Sequence, residues 1–164
     1  MARPDIKIKL GTIDIFTEIL GICAILILVG LPLYYYGELP DRIPSHYGPD
    51  GKPDDYSGKG ILWLLPVIGV ILFLGMQILN RYPRSFNYPK KITEDNARHM
   101  YGMATKMIRM MNTVIACAFA YIMYATIQTA LGNQEGLNSY FTLTFLVVIL
   151  GMSGYFLYRS VRKE

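Results

Sequence analysis

Residues 13–36 read IDIFTEILGICAILILVGLPLYYY, an apolar run whose only charges, Asp14 and Glu18, stand at its start and whose end is three tyrosines. A helix of about 20 residues crosses a hydrocarbon core of about 30 Å. Three more runs of this kind follow at 60–79, 113–131 and 140–158. Inside lipid the backbone must satisfy its own hydrogen bonds, so each run is expected to be an α-helix. The expected fold is therefore an all-α integral membrane protein, a bundle of four transmembrane helices. The run 13–36 exceeds the apolar core of a cleaved leader and lacks a small-residue cleavage site, so it is expected to stay in place. Its Tyr34, Tyr35 and Tyr36 suit an interfacial anchor.

The composition agrees with one membrane domain. The 164 residues are 52% hydrophobic and only 17% charged, a balance uncommon in soluble chains of this size. Of the 16 Lys and Arg residues, Arg42, Lys52 and Lys59 fall in the loop 37–59, and none falls in the loop 132–139. All the others, from Arg3 to Lys163, sit in the N-terminal tail, the segment 80–112 and the tail 159–164. The positive-inside rule puts that basic side, with both termini, in the cytoplasm and the other two loops outside. Topology and anionic headgroups account for the net charge of +4. The expected partner is the lipid bilayer, and no nucleic acid is required.

Asp14 and Glu18 are one helical turn apart and share a face. Acids near the inner end of a span invite a basic partner, and 80–112 is rich in them. That segment begins with Tyr82-Pro83 and Tyr88-Pro89, which interrupt helix. Thr93 then reads as an N-cap, with Glu94 and Asp95 in the first turn where the helix dipole favours acids. No proline follows before Leu131, so a long third helix is expected, its first half extending into the cytoplasm or along the membrane surface. On that half Arg98, Thr105, Arg109 and Asn112 fall near one face. Met100, Met103, Met107, Met110 and Met111 are read as packing. Ala116 and Ala120 have the small-xxx-small spacing of close helix contacts. Cys23 and Cys117 lie in separate runs and are read as buried packing residues, not as a disulfide framework.

The outward loop 37–59 is too long to be a plain connection. Its turn chemistry, Pro40-Asp41, Pro49-Asp50-Gly51 and Pro53-Asp54, predicts an ordered cap with a short hairpin turning at Asp50-Gly51. His46, Asp50 and Asp54 are the donors a divalent metal would use. The competing reading has them bonded to the loop's own backbone. There is no HExxH helix and no GxSxG elbow, and Pro53 stands where a phosphate-binding loop ending at Gly58-Lys59 would begin with glycine. No cofactor and no catalytic residue is expected.

The loop sequence LPDRIPSHYGPDGKPDDYSGKG resembles the signature of a prokaryotic membrane domain of unknown function, roughly P-x-x-I-P-x-H-aromatic, a turn glycine, then P-D-x-aromatic-x-x-K. Pro40, Ile43, Pro44, His46, Tyr47, Gly51, Pro53, Asp54, Tyr56 and Lys59 occupy its positions, and RYPRSFNYPKKITEDNA after the second span adds to the likeness. That domain also accompanies immunity proteins against the sporulation-delaying toxin. The resemblance implies a binding protein of the prokaryotic cytoplasmic membrane that confers immunity or relays a signal, with an external peptide or toxin as ligand.

The leading expectation is a non-enzymatic membrane protein that recognises an external ligand through 37–59, above all Pro44, His46, Tyr47, Asp50, Gly51, Asp54, Tyr56 and Lys59. Asp14, Glu18, Arg98, Arg109 and Asn112 form its inner polar set. A transporter or channel subunit is the alternative; it would need a homo-oligomer, with Asp14, Glu18, Gln77, Asn80, Asn112 and Gln128 along the pathway. A metal-dependent membrane enzyme built on His46, Asp50 and Asp54 comes last.

Overall fold

A computed structural model describes residues 3–162, so Lys163 lies outside the described residues. The chain is mostly helical. It comprises α1 (Thr12–Tyr35), β1 (Arg42–Tyr47), β2 (Pro53–Gly58), α2 (Leu64–Leu79), α3 (Glu94–Ala130) and α4 (Phe141–Val161). Four helical segments, including Lys59–Leu79 with the 3₁₀ turn that leads into α2, are long and apolar enough to cross a membrane. That lead-in turn is 3₁₀ where Pro66 has no N–H to offer the carbonyl of Leu62. Among the described residues the one departure from an all-α chain is the two-stranded sheet β1-β2.

The packing centres on α1 against α3. Ala24 and Leu28 of α1 meet Ala116, Ala120, Met123 and Ile127 of α3, all buried. Small residues on both sides, Ala24 against Ala116 and Ala120, let the two backbones approach. The opposite face of α1 is apolar and uncovered, with Phe16, Leu26 and Leu33 each about two-thirds exposed. Cys23 is on this uncovered side and Cys117 is half-buried, so the expectation of two buried cysteines is corrected: the stripe of α1 that meets α3 passes through Ala24. α4 is the least embedded helix, with Phe156 its one buried residue.

α3 starts as its cap predicts. The Thr93 hydroxyl accepts from the Asn96 amide at 3.4 Å, and Asn96 Oδ1 accepts from the Thr93 amide at 2.9 Å. Its first half is jacketed and not a bare extension. The alternating tail Ile6-Lys7-Ile8-Lys9 turns both isoleucines toward Ala97, Met100 and Tyr101. Tyr101 donates to the carbonyl of Pro4 at 3.2 Å, and Arg3 donates to the carbonyls of Arg84 and Phe86 at 2.7 and 2.6 Å. The bundle thus has a basic end, where the tails and 80–93 gather, and a hairpin end opposite.

Candidate functional site

The hairpin end is built from the turn outward. The Gly51 amide donates to the carbonyl of Gly48 at 2.9 Å, and the Gly48 amide to that of Lys52 at 2.8 Å. Asp50 Oδ1 accepts from the Lys52 amide at 3.1 Å, and Gly51 takes φ +81°, the left-handed region. The strands pair antiparallel, Arg42 with Gly58 through Pro44 with Tyr56, and the ladder is irregular beyond Pro44, which has no N–H to donate.

One side of this hairpin is bolted to the helices. Leu39, Ile43 and Pro44 are buried, the first two in one cluster with Leu62 and Ile127. Tyr47 donates to Thr126 Oγ1 at 3.0 Å. Burial pushes the Tyr47 phenol up from its ordinary value, so it remains a donor at neutral pH. Tyr47→Phe is expected to cost about 1 kcal/mol, one hydrogen bond, with the hairpin still seated; the unfolding temperature in detergent reads this. At the tip, the Leu137 amide donates to the Gly51 carbonyl at 2.8 Å. A Cβ on Gly51 would strike the Leu137 carbonyl, and one on Gly136 the Gly51 carbonyl. Gln134 Nε2 braces this seat by donating to the carbonyls of Ala125 and Gly136 at 3.1 and 2.9 Å.

The other side faces out. His46 Nδ1 and Asp54 Oδ1 are 2.6 Å apart, with the two side chains 70% and 52% exposed. Asp55 Oδ1 accepts from the Tyr56 amide at 2.8 Å. Every base of the loop is engaged by the cap itself. Arg42 donates to the Tyr56 carbonyl at 2.5 Å, and Lys52 stands 3.7 Å from Glu135. Lys59 donates to the Leu39 carbonyl at 3.3 Å and lies over the Tyr36 ring. Glu38, Asp41, Asp50, Asp54, Asp55 and Glu135 are left as exposed carboxylates or nearly so. The structure therefore brings His46 and Asp54 together but gives Asp50 to the turn. Among the described residues no three His, Cys, Asp or Glu side chains converge as ligands for one ion.

The inner polar residues divide. Arg109, 8% exposed, reaches Glu18 Oε1 through Nε at 2.8 Å and Asp14 Oδ1 through a terminal nitrogen at 3.2 Å. Asn112 Nδ2 donates to the Phe73 carbonyl at 3.2 Å, and Thr113 to the Thr17 carbonyl at 2.9 Å. Arg98 is exposed and takes no part in this cluster. Of the pathway candidates, Glu18, Gln77 and Asn80 border one cavity at the basic end. Gln128 is far along α3, accepting from Asn133 at 2.8 Å, with Leu28 and Met123 buried in the core between.

Thr126, Gln134, Gly136 and Leu137 carry no motif; the two glycines of 132–139 are their one trace in the sequence. No solved structure matches this chain. An uncharacterized protein of Archaeoglobus fulgidus is 28% identical over 156 residues, covering 87% of this chain and 85% of that protein. Residues 22–70 match the family model described as a domain of unknown function, DUF1648. The likeness thus falls on the later turns of α1, the whole hairpin and the start of α2, the segments that make and carry the cap.

Proposed function

We propose that the chain is a non-enzymatic, multi-pass protein of a prokaryotic cytoplasmic membrane that recognises an external cationic peptide or toxin through the hairpin. The observation that carries this reading is the acidic excess of a fixed cap: six exposed carboxylates, of which Asp54 faces His46 and Glu135 faces Lys52, against three bases of which Arg42 and Lys59 donate to the cap's own carbonyls. A surface already held by backbone contacts loses little conformational freedom on binding. By the positive-inside rule the basic end and both termini lie in the cytoplasm. The transport reading has less support, because its polar residues are separated by packed apolar side chains.

A fluorescent Lys-rich amphipathic peptide, added to the protein in nanodiscs of neutral lipid, tests recognition. Saturable binding is expected, weakened by added salt and lowered about tenfold in Asp54→Asn/Asp55→Asn, on the order of two lost charge contacts. Both side chains are exposed, so insertion and unfolding temperature should stay at wild-type values. Equal binding by variant and wild type, or by empty nanodiscs, refutes the reading.

A further inference from the structure

At the basic end a cavity of about 890 Å³ lies between α1, α2, the first half of α3 and the N-terminal tail. Its lining is graded. Ile22, Phe73 and Leu74 form an apolar wall, and Ile22 and Leu74 are about half exposed on the outer surface of their helices. The cavity therefore opens sideways, between α1 and α2, toward the zone that acyl chains fill once the helices are in a bilayer. Deeper in, Gln77, Asn80 and Thr105 supply polar groups. Thr105 is occupied, donating to the Tyr101 carbonyl at 2.8 Å, and Arg109 is held by its two carboxylates. Asn80 Oδ1 is closed off from the cavity, whereas the Gln77 side chain is partly exposed and makes no hydrogen bond among the described residues. At the mouth, Arg84 pairs with Asp5 at 3.2 Å. The side chains of Lys7 and Arg81 are exposed and make no ion pair or hydrogen bond among the described residues.

Uncompensated positive charge at the mouth, the unengaged Gln77 amide inside and a lateral apolar exit describe an amphiphile, anionic and bearing hydroxyls. We propose that the cavity holds one anionic glycerophospholipid with a hydroxylated headgroup. Its phosphodiester would sit against Lys7 and Arg81, a headgroup hydroxyl would donate to the Gln77 amide oxygen, and a chain would lie along Ile22, Phe73 and Leu74. Basic recesses between helices at the cytoplasmic side are where such headgroups are bound. A free phosphate would use the two bases but has no use for the apolar exit. The inference rests on membrane insertion and is independent of what the hairpin recognises.

The test uses the full chain reconstituted in phosphatidylcholine vesicles containing phosphatidylglycerol as a minor component, then extracted in mild detergent for native mass spectrometry. One phosphatidylglycerol per protomer should be retained in preference to phosphatidylcholine. Lys7→Gln and Arg81→Gln should each weaken retention about fivefold, the weight of one base near an anionic surface, with the unfolding temperature unchanged. Gln77→Leu should remove the preference for phosphatidylglycerol over phosphatidic acid. Equal retention of phosphatidylcholine, or indifference to both basic substitutions, overturns the lipid site while leaving insertion intact. Displacement by inorganic phosphate as readily as by phosphatidylglycerol makes it a phosphate site and also overturns the proposal. A chain that does not enter vesicles overturns this inference and the membrane reading together.

Discussion

Arg109→Met should destabilise the protein by about 3–5 kcal/mol, the largest effect expected of any single substitution here. The guanidinium makes two contacts from one buried side chain, to Asp14 and Glu18, which are 14% and 27% exposed. Removing it leaves two mostly buried carboxylates close together with no counter-charge. The loss comes from abandoning those charges more than from breaking an attraction. Neutralising the partners should therefore restore most of it: Arg109→Met/Asp14→Asn/Glu18→Gln is expected within about 2 kcal/mol of wild type. Arg109→Lys should fall short of wild type too, because one ammonium cannot reproduce the fork that reaches both acids. Unfolding in detergent at fixed composition measures all three. A single Arg109→Met variant as stable as wild type would show that the acids do not depend on this base.

Gly51→Ala should cost about 3 kcal/mol and release the hairpin tip, the second largest effect. Two penalties add at this residue. Its φ of +81° is strained for any side chain, and the new methyl would meet the Leu137 carbonyl. Gly136→Ala should act alike from the opposite side, since its Cβ would meet the Gly51 carbonyl. Amide exchange resolves this from general destabilisation. The Leu137 amide, bonded to Gly51 O at 2.8 Å, should exchange much faster while amides of the α1–α3 core change little. Gly37→Ala is the control, because nothing lies within 4 Å of its Cβ position. A Gly51→Ala protein with a wild-type exchange rate at Leu137 would refute the docking argument.

The helices were legible because runs long and apolar enough to cross a bilayer leave a plain mark in the sequence. α3 was legible at its start for a local reason: Thr93 and Asn96 cap each other within three residues. The turn at Asp50-Gly51 was local too. What stayed hidden depends on how distant segments meet. Asp14 and Glu18 called for a base, yet helical spacing alone grouped Arg98 with Arg109. The buried stripe of α3 is set by where α1 crosses it, and it runs through Ala97 and Tyr101, one position aside from Arg98. The seat of the hairpin was invisible because it is backbone against backbone, and such a contact leaves only glycines behind. The exposed position of Cys23 has the same origin, a helix apolar all round whose sequence cannot say which face finds a partner.

α3 touches the structure at both ends. Thr126 accepts the hydrogen bond from the hairpin, and Tyr101 carries the N-terminal tail. They belong to one unbroken helix, about 38 Å apart at 1.5 Å per residue, with no proline between them to act as a joint. A rod of that kind cannot tilt at one end alone. The cap and the basic end are therefore mechanically a single part, and whatever pushes on the hairpin leans on Arg109 and the tail as well.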